Sequence, residues 1–158
     1  MNVLDSLISG IWMELKPNLW WIISVAIAII VLTRPMPGRG PKSSRLDIWR
    51  SFKFEVRDVV MKRAGHRCEA PEFIIWGRCS ADATEADHVF PWSRGGPTVV
   101  SNGQALCTHH NRSKGSINPP WWYILGLERR RRDYFPVGAD VRVFAVMNAQ
   151  EQAARKRQ

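Results

Sequence analysis

Residues 86–96 read "ADHVFPWSRGG" and residues 106–115 read "LCTHHNRSKG". The first stretch ends a short strand-like run, "TEADHVF" at 84–90, in which an acid stands beside a histidine. Gly95-Gly96-Pro97 then turns the chain back. "QALC" at 104–107 predicts a second strand, and Thr108 is placed to cap a short helix over about 109–114. The predicted order is strand, loop, strand, helix, and the fold class is α+β.

The side chains in these stretches suit metal and proton chemistry. Asp87 offers a carboxylate for Mg²⁺ or another hard divalent ion. His88 offers an imidazole that titrates near neutrality and can take a proton from water. Adjacent side chains on a regular strand point to opposite faces, so one of the two is expected at a bend or strand end. Cys107 and His110 form a C-x-x-H pair whose two intervening residues let both side chains face one ion. Cys68 and Cys79 are the remaining cysteines, and "EAPEFIIWGR" between them must bulge to bring its ends together. The alternative is three buried thiols and an unrelated histidine. An odd cysteine count argues against a closed disulfide framework and suits a reducing compartment.

The flanks are basic. The chain of 158 residues carries a formal net charge of +9. Residues 34–66 hold nine basic against three acidic residues, and 119–158 hold eight against four, while 67–118 balance five with five. A neutral site between basic arms suits a phosphate backbone running past it. Before the site, Asp47 opens a helical pattern with Ile48, Phe52, Val56, Val59 and Val60 on one face, closed at Gly65. After it, "LERRRRDYF" at 127–135 reads as a basic patch with aromatics, and a helical tail is expected over about 147–157. Trp121, Trp122 and Tyr123 read as core, with contact to DNA or membrane as the alternative.

The N-terminus has another character. "LWWIISVAIAIIVLT" at 19–33 is uncharged and spans about 22 Å as a helix. Lys16 and Arg34 flank it, and Trp20 and Trp21 suit a membrane interface. Leu4, Leu7, Ile8, Ile11, Trp12 and Leu15 precede it at helical spacing, with Pro17 expected to separate the two. Arg34, Arg39, Lys42 and Arg45 follow it, so the positive-inside rule places the C-terminal part in the cytoplasm. A signal sequence, giving an exported protein, and a buried core helix are the alternatives. The predicted organisation is therefore an amphipathic segment and membrane anchor at 1–33 (helix about 18–33), a Pro/Gly-rich basic linker at 34–45, a domain at 46–135 with its core at 67–118, and a basic tail at 136–158.

Taken together and in order, "EADHVFPWSRGG", "SNGQALC" and "CTHHNRSKG" resemble the ββα-metal module of HNH endonucleases over residues 67–115. The resemblance implies that His88 is the general base and Asp87 a ligand of the catalytic Mg²⁺, Mn²⁺ or similar ion. Asn102 would be the middle Asn, holding the loop and orienting His88 by hydrogen bonding. Asn111 takes the third motif position as a metal ligand, in an H-N-N variant, with His110 the alternative. His110 stands where the family has the second Cys of a C-x-x-C knuckle, so a structural Zn²⁺ would sit on Cys68, Cys79, Cys107 and His110. The wide Cys68–Cys79 spacing departs from the family pattern. Arg94, Arg112 and Lys114 are placed to meet flanking phosphates. The expected function is a membrane-tethered, metal-dependent DNA endonuclease. A non-catalytic, zinc-containing nucleic-acid-binding module is the alternative.

Overall fold

Alternation and turn chemistry produce the sheet expected at the centre of the chain. In the computed structural model, which describes residues 3–156, Glu85–His88 form strand β1 and Gly103–Leu106 form strand β2. They pair antiparallel, with Glu85 opposite Leu106, Ala86 opposite Ala105, Asp87 opposite Gln104 and His88 opposite Gly103. Three helices precede them: α1 (Val3–Leu15), α2 (Leu19–Thr33) and α3 (Phe54–Arg63). Three follow: α4 (Thr108–Lys114), α5 (Trp121–Arg131) and α6 (Ala149–Lys156). Residues 157–158 of the expected tail lie outside the described residues.

The chain divides into two units, Met1–Arg34 and Pro35–Gln158. In the first, α1 runs through a 3-10 turn at Lys16–Asn18 into α2. Pro17 thus sits in a tightened turn rather than a break. Leu7–Thr33 is long and apolar enough to cross a membrane by length and composition, and none of α2 is buried. Within the apolar stripe, the side chain of Leu15 lies outside the described residues.

In the second unit, α3 packs on the sheet. Phe52, Val60, Met61, Ala64, Ala83 and Ala105 form one core cluster, with Val56 and Ala86 against it. Gly103 is what permits this approach. A Cβ there would lie 2.5 Å from Val60 Cγ2 and 3.2 Å from the Phe52 ring. A second cluster joins Val89, Phe90, Ile124, Leu127, Val143 and Ala145.

Three expectations change. The helix opened at Asp47 begins only at Phe54. The Asp47 carboxylate does not cap a helix but accepts from Trp49 N (3.1 Å) and Thr98 N (2.9 Å). Thr108 is the first residue of α4, with Cys107 at the cap position, and the Thr108 hydroxyl pairs with that of Thr84 at 3.0 Å. The basic run turns partly inward. Arg131 is fully buried, donating to Glu69 Oε1 (2.8 Å) and Gly103 O (2.7 Å). Arg130 donates to Ile75 O (2.9 Å) and Glu69 O (3.2 Å). Glu69 also accepts from Ala105 N and the Tyr134 hydroxyl. Burial raises the Glu69 carboxyl, but the charge and hydrogen bonds of Arg131 outweigh it and hold it below its ordinary value. Arg131 thus ties α5 to β2, and Arg130 ties it to the loop after Cys68.

Residues 35–45 are also tied down. Arg39 pairs with Glu128 (3.4 Å), donates to Val143 O (3.3 Å) and accepts from Ala145 N (2.9 Å). Met36 packs against the second cluster.

Candidate active site and metal centre

Strand alternation sorts the site residues onto two faces of β1. Ala86 and His88 face the α3 side, where the His88 ring lies 4.5 Å from the ring of Phe52. Glu85 and Asp87 face α4. There Asn111 Nδ2 donates to Glu85 Oε2, and Lys114 Nζ lies 2.9 Å from Asp87 Oδ2. His88 is the last residue of its strand, in keeping with the expectation of a strand end. Asp87 and Asn111 therefore share the β1–α4 face, while the imidazole occupies the other. Glu85 was not singled out from the sequence. Its signal was present, since positions two apart on a strand share a face.

The partner of the imidazole is Thr98. His88 Nε2 lies 2.9 Å from Thr98 Oγ1, and the Thr98 hydroxyl donates its one proton to Trp49 O. Thr98 Oγ1 must then accept from His88, which assigns the proton to Nε2 and the lone pair to Nδ1. Burial lowers the His88 pKa to about 4, against the opposing charge of Asp87. The ring is neutral at pH 7. Behind it, Arg155 on α6 donates to both Asp47 oxygens (3.2 Å each) and to Thr98 O (2.8 Å). Asp47, Thr98 and Arg155 carry no local sequence signal, because their contacts join distant parts of the chain.

Asn102 is fully buried and clamps the loop after β1. Its Oδ1 accepts from Phe90 N (2.9 Å), and its Nδ2 donates to Phe90 O (3.1 Å) and Pro97 O (2.9 Å). Asn102 O also accepts from Val89 N at 2.7 Å. It holds the loop as expected, but its contact with His88 runs through the backbone of the next two residues. The ring itself is oriented by Thr98. Arg94 and Arg112 are exposed; Arg94 Nε also donates to Ser116 O at 2.7 Å.

The four sulfur and nitrogen ligands assemble. Cys68, Cys79, Cys107 and His110 each offer one atom, and these atoms all lie within 4.8 Å of one another. His110 Nδ1 is 3.6 Å from Cys68 Sγ and 3.2 Å from Cys107 Sγ. A tetrahedral Zn²⁺ with Zn–S of about 2.3 Å and Zn–N of about 2.0 Å sets such separations near ~3.5 Å. The three thiols are free. Amides of His110 and His109 at the start of α4 point at Cys107 and lower its pKa, while burial raises Cys68 to about 11. The donor set and its spacing fit a metal centre of the Cys3His type, and the loop 69–78 does bulge between Cys68 and Cys79.

Residues 66–116 match the family model for HNH endonuclease. No curated protein and no solved structure matches the chain. The match covers residues 66–116, and the Cys3His cluster in this part of the chain is compatible with zinc.

Proposed function

We propose that the chain is a metal-dependent DNA endonuclease held at a membrane by its N-terminal helix, with the nuclease unit in the cytoplasm. The HNH segment supports a nuclease acting on nucleic acid. The observation that supports the finer reading is the β1–α4 face, where the carboxylates of Glu85 and Asp87 and the side-chain amide of Asn111 lie beside a strand that ends in His88. Lys114 already lies on Asp87, so this carboxylate attracts a cation. Oxygen donors suit a hard divalent ion, and Asp87 and Asn111 are its proposed ligands. Asp87 and Asn111 would hold Mg²⁺ or Mn²⁺ there, and the ion would supply charge stabilisation to the transition state.

His88 takes the proton from the attacking water through Nδ1. Its neutral state at pH 7 leaves that lone pair available, and an arriving phosphate raises its proton affinity. Asn102 keeps the following loop in register, and Arg94 and Arg112 meet flanking phosphates. Cys68, Cys79, Cys107 and His110 hold Zn²⁺ as a structural ion.

A supercoiled plasmid tests the reading. Cleavage should require Mg²⁺ or Mn²⁺, cease with EDTA and return on readdition of metal. His88→Ala should lower the rate about 10²–10⁴-fold, the usual cost of losing a general base, with fold and DNA binding retained. The closed pairing of Asp87 with Lys114 and Asn111 with Glu85 favours the second reading, a non-catalytic zinc module. DNA binding without cleavage under every metal condition would decide for it.

A further inference from the structure

A cleft of about 600 Å³ is lined by residues within 48–56, which precede the segment that matches the HNH family, and by Thr98 within that segment. Trp49, Arg50, Lys53, Phe54, Glu55 and Thr98 are among its lining residues. Thr98 is the same residue whose hydroxyl accepts from His88 Nε2 at 2.9 Å. The cleft therefore reaches within one side chain of the imidazole.

Phe54 is its unusual feature. The ring is 86 % exposed, on a backbone with φ of 46°. A bulky side chain rarely adopts this left-handed conformation, and such strain persists where a site is built to hold something. Folding gains nothing from an aromatic ring held in water. Arg50 and Lys53 are exposed beside it, and Glu55 adds one acceptor. An exposed ring that shares a cleft with two cations matches a nucleotide, with the base face on the ring and the phosphate on the cations. Bases in duplex DNA are stacked on each other and offer no free face, so the occupant must be unstacked.

We propose that this cleft is a nucleotide subsite, in which Phe54 stacks an unpaired base and Arg50 and Lys53 hold its phosphate. The substrate it selects is single-stranded or locally opened DNA next to the scissile bond. The inference rests on the nuclease reading for its biological sense, and its test does not.

The full-length protein in nanodiscs of zwitterionic lipid, without added divalent ion, is mixed with a short single strand carrying 5-iododeoxyuridine. Irradiation should crosslink the strand to Phe54, mapped by mass spectrometry. Phe54→Ala should bind the strand about tenfold more weakly, the effect of losing one stacked base, and Phe54→Trp should restore it. Affinity for the fully paired duplex should not change. Phe54→Gly separates ring from backbone. It should raise thermal stability by relieving the positive φ, yet bind as weakly as Phe54→Ala. Equal single-strand affinity in parent and Phe54→Ala, with no crosslink at 54, overturns the subsite even if plasmid is cut. A crosslink at Phe54 with weakened Ala binding upholds it even if no DNA is cut, and then the nuclease reading alone fails. Equal losses on duplex and single strand show a general DNA surface and also overturn it.

Discussion

His88 owes its tautomer to one hydroxyl. Thr98 can accept from Nε2 only because its own proton goes to Trp49 O. Thr98→Val keeps the shape and removes the acceptor, leaving a buried N–H unsatisfied. That costs about 1–3 kcal/mol, or roughly 5- to 150-fold if the ring responds by changing tautomer or tilt. The loss should appear in kcat with KM little changed, and Thr98→Ser should recover it. A drop in KM-dependent binding instead would mean that Thr98 serves the substrate and not the imidazole. A second residue-scale test separates neighbours on α4. His110 Nδ1 lies against Cys107 and Cys68, while Asn111 lies against Glu85. His110→Ala should lose zinc, measured by elemental analysis, and melt at a lower temperature, since zinc affinity is also folding energy. Asn111→Ala should keep zinc and fold and lose cleavage. The reverse pattern would exchange their roles.

At the scale of elements, local chemistry explains which parts of the site were legible. β1, β2 and α4 could be read because alternation, the Gly-Gly-Pro turn and the C-x-x-H pair are all short-range signals. The helix at Asp47 misled for the opposite reason. Its acid and apolar pattern fit a cap and a face, but Asp47 is used by Arg155, 108 residues away, and Phe52 leaves the helix to enter the core. The arginine run misled likewise, because Glu69 is 62 residues from Arg131 and sequence carries no mark of that pairing. The helix α6 thus acts as a strut behind the imidazole, through Arg155, Asp47 and Thr98. Burial raises the Asp47 carboxyl, but Arg155 and the amides of Thr98 and Trp49 outweigh it and hold it below its ordinary value of 3.8. A depressed carboxyl contributes stability that is fully present above the unfolded value and lost as pH falls through the native one. Asp47→Asn should therefore melt several degrees lower at neutral pH, for a loss of about 1–3 kcal/mol. The gap to the parent should close in acid below about pH 4, near the ordinary carboxylate value. A gap constant over the whole pH range would show that the charge of Asp47 does not matter. Arg155→Ala should also slow cleavage, as expected of a positioning residue.

At the scale of the whole molecule, the charge and the apolar helix set the two units of the chain apart in character. The stretch from Leu7 to Thr33 has the length and composition of a membrane span, and the linker after it is rich in Arg, which is costly to translocate. The compact unit begins at Pro35, and Arg39 is built into it by Glu128, Val143 and Ala145. The position of a truncation therefore decides its result. A chain lacking residues 1–34 should be soluble, hold zinc and cut DNA at the parental rate. One lacking residues 1–44 also loses Arg39 and Met36, and leaves the carboxylate of Glu128 without its cation, so it should melt at a lower temperature. The intact protein should fractionate with membranes and resist carbonate extraction. A C-terminal reporter active only in the cytoplasm should work, and one active only outside should stay silent. Activity of the outside reporter, or a cleaved N-terminus just after residue 33, would make the apolar helix a signal sequence and the protein an exported nuclease. Equal melting of the two truncations would mean that residues 35–44 are a free tether and that the contacts of Arg39 add no stability.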